Sequence, residues 1–200
     1  MKLFDDYFDE MDLTEEQKKD RKMLADIMLT SFLYLFAYAK RISDSPDALI
    51  RLSVMTKTEL LRVIPDFISK HGGIVTENDT YIQNYINNVS ENTSKTTINN
   101  IEDDYFTSYD RAWISAGTES NSVENYVDYV EAVQMGKTRK KWHSIIDKKT
   151  RKTHVKIDGE TIPIADYFRV GDSYMRFPHD ISLDPAPKEI INCRCSVEYL

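Results

Sequence analysis

The chain has 200 residues, 41% hydrophobic and 30% charged, with 26 Lys and Arg against 33 Asp and Glu and a formal net charge of −7. That balance excludes a wholly disordered chain, and six Gly and six Pro exclude collagen-like and low-complexity architectures. The acidic total argues against chain-wide nucleic-acid binding but leaves room for a local patch. The first 20 residues carry eight acids and three lysines, whereas residues 137–156 carry nine bases and one acid, Asp147.

Met1-Lys2-Leu3-Phe4 runs straight into acids, so no signal peptide is expected. Thr14 and Gln17 have the form of a capping box, which opens a helix predicted over about 15–42. Its apolar run, Ile27 to Ala39, is 13 residues long. A bilayer span needs roughly 20, so no membrane partner is expected. Met28, Leu29, Phe32, Leu33, Leu35 and Phe36 cover more than one face, which predicts burial in a bundle or against another chain. Ser45-Pro46 reads as the N-cap and first residue of a second helix, carried by Leu49, Leu52, Leu60 and Leu61 to about Val63 and stopped by Pro65 and Gly72-Gly73. Thr76 with Asp79 opens a polar helix through Tyr81, Ile82, Tyr85, Ile86 and Val89. A polar run over 90–97 interrupts it as a kink or loop, and periodicity resumes from Ile98 to Trp113. A further helix is predicted over about 122–135, with Val123, Tyr126, Val127, Val130 and Val133 on one face.

Helical periodicity fades after Gly136, where turn signals separate short alternating segments. His154-Val155-Lys156-Ile157, Asp158-Gly159 and Thr161-Ile162 predict a β-hairpin, and residues 194–199 a final strand. The fold class is therefore α+β. A mainly helical region over 1–116 precedes a small C-terminal module over 117–200, helical at first and carrying short antiparallel strands from about 137. Cys193 and Cys195 are one residue apart, too close for an easy disulfide, and read as reduced thiols.

Five elements in this region form an ordered set: Lys141-Trp142-His143, Asp147 through Thr150-Arg151 to His154, Asp158-Gly159, Phe177-Pro178, and Asn192-Cys193-Arg194-Cys195. With Gly117-Thr118-Glu119-Ser120 upstream, the set resembles the C-terminal module of the phage head morphogenesis family, the Mu F-like minor head proteins of tailed bacteriophages. The resemblance covers roughly residues 105–200 and treats 117–120 as a helix start, with Gly117 where many members have arginine. It implies a low-copy structural protein of the virion, at the portal vertex or in the head interior and made in the host cytoplasm. It further implies a role in head assembly or in DNA packaging and ejection, with the portal protein and other head proteins as partners. On this reading Trp142, Asp147, Thr150, Asp158, Gly159, Asn192 and Arg194 are structural, and no catalytic residue or cofactor is expected.

Two sharper readings attach to the same residues. In a small RNase-like nuclease, His154 would move a proton, with Arg151, Thr118 and Glu119 as anion-stabilising partners. In a zinc site, Cys193 and Cys195 would supply soft ligands and His154 a borderline one, with His143 or His179 completing the set. Some family members carry a C-x-x-C at the positions of Arg151 and His154, and Arg151 cannot ligate. Lys140, Lys141, Lys148 and Lys149 are candidates for weak, salt-sensitive contact with phosphates of packaged DNA.

Overall fold

The computed structural model describes residues 4–71, 76 and 79–200. The fold is α+β, with helices up to residue 134 and short antiparallel strands after it. The chain divides into two compact units, Leu24–Ala116 and a second made of Met1–Met23 with Gly117–Leu200. The first 23 residues, expected with the helical region, thus belong to the C-terminal module. Apolar burial explains this: Tyr7, Phe8 and Met11 are buried. Lys22 holds the short helix α1 (Asp5–Phe8) through ion pairs to Asp5 and Asp9 at 2.7 and 2.6 Å.

Helix α2 (Glu15–Ile42) starts where the capping box places it. The Thr14 N–H donates to Gln17 Oε1 (3.0 Å), and the Gln17 N–H donates back to Thr14 Oγ1 (3.2 Å). Met28, Phe32, Leu35, Phe36 and Ala39 are buried, but Ile27, Leu33 and Tyr34 remain exposed. One face of the apolar run is covered, not its whole circumference. The helix as a whole is long and apolar enough to cross a membrane by length and composition, a test that core helices also pass. The 13-residue run understated it.

In the helical unit, α3 (Ala48–Lys70) begins two residues beyond Ser45-Pro46, with Asp47 as its N-cap, and runs through Pro65 instead of stopping at Val63. An internal proline forfeits a backbone hydrogen bond at a cost of about 3 kcal/mol. Val63, Ile64, Phe67 and Ile68 are buried on either side of it, and each such burial contributes roughly 1.5–3 kcal/mol, enough to carry the helix onward. Gly72-Gly73, the other expected stop, lies outside the described residues. Helix α4 (Thr80–Asn99) is capped by Asp79, whose carboxylate accepts from the Tyr81 and Ile82 N–H groups at 2.9 and 3.1 Å. The polar run over 90–97 does not interrupt it. Ser90 and Thr97 donate to the carbonyls of Ile86 and Thr93 (2.6 and 2.7 Å), and buried Ser94 meets Thr56 of α3 at 3.4 Å. Small side chains satisfied in this way let α3 and α4 pack closely. The chain instead breaks between Asn100 and Ser108, around a 3-10 turn over Asp104–Thr107 capped by Asp103.

Helix α5 (Tyr109–Gln134) is continuous, so residues 117–120 lie inside a helix and not at its start. In the C-terminal unit, strand β1 (Arg139–His143) is central, paired antiparallel with β2 (Thr161–Pro163) and β5 (Ser196–Tyr199). Strands β3 (Phe168–Val170) and β4 (Ser173–Met175) form a separate hairpin that turns on Gly171-Asp172, where Gly171 adopts φ +64°. This is where the tight hairpin sits. The one expected around Asp158-Gly159 is replaced by helix α6 (Lys152–Ile157) followed by a turn. Its buried pair, His154 and Ile157, is spaced i,i+3, while Val155 is exposed, a helical pattern that local alternation disguised. A short helix α7 (Pro187–Ile190) precedes β5.

Candidate functional site

The site is built around β1. Trp142 is fully buried, its ring edge-on to Phe168 (5.2 Å between centroids) and His154 (5.9 Å), and its Nε1 donates to Ser144 Oγ at 3.0 Å. Asp158 and Gly159 clasp the same strand: Asp158 accepts from the Ser144 N–H (2.7 Å), and the Gly159 N–H donates to the Trp142 carbonyl (2.8 Å). Gly159 adopts φ +76°, a conformation that favours glycine.

Beyond β1, Asp147 organises a loop. Its carboxylate accepts from Arg194 (2.5 Å), from Thr150 Oγ1 (2.9 Å) and from the Lys149 N–H (2.8 Å). The Arg194 hydrogen bond, first among these, holds the carboxyl down at about 2. The same Thr150 hydroxyl also lies within hydrogen-bond reach of the Ile145 carbonyl, so its one proton serves either acceptor. Arg194 reaches Glu10 at 3.6 Å, and His143 pairs with Asp12 at 2.9 Å and with Glu198 at 3.3 Å. The acidic N-terminus therefore lies on the basic module, within one unit.

His154 is the centre of the buried chemistry. Its Nδ1 lies 3.2 Å from Cys195 Sγ and 3.5 Å from Cys193 Sγ, and its Nε2 lies 3.2 Å from Glu189 Oε2. All four residues are buried. Glu189 also accepts from Thr153 Oγ1 at 2.8 Å. Gly171 makes room for that carboxylate, since a Cβ there would stand 2.8 Å from Glu189 Oε1. The Cys193 hydrogen bond, helped by His154, pulls the Cys195 thiol well below the ordinary cysteine value, while burial pushes Cys193 above it. A small pocket opens on this cluster, with Lys149, Arg151, Asn192 and Arg194 among its walls.

The structure brings together His154, Cys193 and Cys195, and sets Arg151 and Asn192 beside them. Arg151 donates to the Ile191 carbonyl, and Asn192, held at φ +55°, accepts from Thr118 at 3.4 Å. Glu119 does not line the pocket, so the four residues of the nuclease reading do not converge there. The fourth zinc ligands expected from sequence are engaged elsewhere. His143 pairs with the carboxylates named above, and His179 Nε2 donates to the Cys193 carbonyl at 2.9 Å.

Lys140 is a correction. It is fully buried, its ammonium donating to the carbonyls of Ile164 (2.8 Å) and Asp166 (2.7 Å), so it is no DNA contact. Burial lowers it to about 8. Lys141 is half-buried, 3.9 Å from Glu198, whereas Lys148 and Lys149 are exposed. Gly117 also has a local reason, since a Cβ there would stand 3.1 Å from the Tyr7 ring. An arginine at this position would have to displace that ring.

Sequence reasoning missed Arg21. Its side chain is fully buried and donates to Asn121 (3.0 Å), Asn125 (3.2 Å), Asp128 (2.6 Å) and the Gln17 carbonyl (3.3 Å). The available signal was a polar stripe at 121, 125 and 128, spaced to share one face of helix α5. Glu124 lies near this network, and its own burial pushes its carboxyl up to about 8. His179 is pushed down to about 4, again mainly by burial. The consequences for stability have opposite signs. Between pH 4.5 and 6.5 the folded chain keeps a proton on Glu124 that the unfolded chain loses, and lacks one on His179 that the unfolded chain gains, so the two effects offset. Above pH 6.5 His179 no longer offsets Glu124, whose own contribution to stability should fall by about 2 kcal/mol by pH 8. Urea unfolding should show that decline in the native chain and a flatter profile in Glu124→Gln; equal slopes would refute the assignment.

The model of the phage Mu protein F like protein family matches residues 81–198. The NAD(+)–arginine ADP-ribosyltransferase EFV of Enterococcus faecalis (strain ATCC 700802 / V583) is 33% identical over 93 residues, covering 44% of this chain. The chain spans 18% of the length of that relative. No solved structure matches.

Proposed function

We propose, from the premise that this chain belongs to the phage Mu protein F like family and is a phage head protein, that it is a minor head protein of the portal vertex or head interior. It acts there in head assembly or in DNA packaging and ejection. The observation that carries this reading is the extent of the family match, residues 81–198, which takes in every motif residue that builds the site. Those residues serve one another: Asp147 with Thr150 and Arg194, Asp158 and Gly159 with β1. That is the pattern of a scaffold.

No catalytic role is proposed. His154 is buried with both ring nitrogens engaged, and Arg151 is committed to the Ile191 carbonyl. The ADP-ribosyltransferase activity in the relative's name belongs to a protein of which this chain matches a minor part. Contact with packaged DNA is left to exposed Lys148 and Lys149, a weak and sequence-blind attraction. The helical unit supplies the surface for the portal protein or other head proteins, since Leu49, Ile50 and Val54 expose apolar area beside Glu91 and Lys95.

A phage lacking this chain should yield defective heads, rescued by the native chain in trans. The double variant Ile50→Asp/Val54→Asp should keep its fold by circular dichroism, since exposed substitutions usually stay within about 0.5 kcal/mol, yet fail to enter heads. Normal infectious yield without the chain would overturn the reading, and normal incorporation of the double variant would remove this surface from it.

A further inference from the structure

The buried cluster at the end of α6 carries an inference about metal chemistry that is independent of any place in the phage head. We propose that His154 Nδ1, Cys193 Sγ and Cys195 Sγ bind one zinc ion, with a solvent water from the adjoining pocket in the fourth position. The three donor atoms lie within 4.8 Å of one another. Tetrahedral zinc with bonds of roughly 2.0–2.1 Å to nitrogen and 2.3 Å to sulfur separates those donors by about 3.6 Å. The spacings here, 3.2 and 3.5 Å from Nδ1 to the two sulfurs, need only small adjustment.

The hydrogen bonding around His154 points the same way. Nε2 donates to Glu189, which fixes the tautomer and leaves the Nδ1 lone pair facing both sulfurs. Cys195 can direct its S–H to Ser144 Oγ (3.4 Å) and Cys193 its own to Nδ1 (3.5 Å), so hydrogen bonding holds the sulfurs only through weak thiol donors. A cation that accepts electron pairs from all three atoms serves them together. A carboxylate behind a ligating imidazole is the usual outer support of such sites, because it orients the ring and strengthens its donation. Glu189 is itself held by Thr153 and sits in the space that Gly171 leaves. The cationic pocket wall of Lys149, Arg151 and Arg194 favours the two thiolates that binding requires. The ion would tie α6 to the segment entering β5, fastening a unit otherwise closed by short strands.

On binding, each thiol loses its proton to solvent and each sulfur donates an electron pair to zinc, with no change of oxidation state. The test uses the full chain, purified without added metal, equilibrated with zinc sulfate and dialysed, with metal content measured by mass spectrometry. One zinc per chain is expected, falling below one tenth in Cys193→Ser and Cys195→Ser and unchanged in His143→Ala. Cobalt(II) titrated into the native chain should give intense thiolate-to-metal charge-transfer absorption and the strong visible bands of a tetrahedral ion, a readout that needs no variant to fold. Cobalt spectra without thiolate bands, or zinc content no higher than in the double Cys193→Ser/Cys195→Ser chain, would overturn the proposal.

Discussion

Trp142→Ala is expected to destabilise the C-terminal unit by about 3–5 kcal/mol, the range for removing a fully buried aromatic side chain. Trp142 has no exposed surface, and its removal leaves Phe168 and His154 facing a cavity. It also removes the Nε1–H that Ser144 accepts, although Ser144 keeps its own bond to the His154 carbonyl (3.1 Å). Trp142→Phe should recover part of the loss, because it restores ring area without the hydrogen bond. Urea denaturation followed by far-UV circular dichroism measures both. A loss under 1 kcal/mol for the alanine variant would mean that β1 is not the core strand described.

The second large effect belongs to Arg21. Arg21→Met should cost about 3–5 kcal/mol, because it strands the partly buried Asp128 carboxylate and the buried Oδ1 atoms of Asn121 and Asn125. Arg21→Lys should rescue little, since one ammonium cannot reproduce a planar fork that reaches several acceptors. Adding Asp128→Leu to Arg21→Met should recover part of the loss, because the stranded carboxylate is then gone. Equal stability of the single and double variants would place the cost in packing and not in the unpaired charge.

These residues show which parts of the molecule could be read from the chain. The start of α2 was legible because a capping box is local, four residues that satisfy each other. The association of His154 with Cys193 and Cys195 was legible from residue type, an imidazole and two thiols that suit one metal, although helix α6 stands where the hairpin was expected to hold them. Pro65 and the polar run over 90–97 were misread because local chemistry signals a break, whereas burial against neighbouring helices decides the outcome. The segment 154–157 alternates like a strand, and only its tertiary setting, with His154 on the cysteines and Ile157 buried, makes it helical. Lys140 looked like one base in a basic run, and nothing in its neighbours shows that the carbonyls of Ile164 and Asp166 would enclose it. Glu189 was invisible and Arg21 easily missed for the same reason: their partners lie 35 and 100 or more residues away.

The electrostatic contrast between the chain's ends was also legible, but its meaning changed. The acidic start does meet cationic groups of the module, but Glu10 and Asp12 pair with Arg194 and His143, which are not among the nine bases of the run. The same segment carries the buried Tyr7, Phe8 and Met11. Removing it would therefore dismantle the unit instead of simply unmasking its bases.

The central claim is that this chain is built into phage heads, and the most direct measurement is quantitative mass spectrometry of purified, DNA-filled heads from cells producing the native chain. The account predicts its peptides in those heads at a small, fixed ratio to the major shell protein, retained after nuclease treatment and high salt. Its absence from filled heads, with the chain recovered only free in the lysate, would contradict the account.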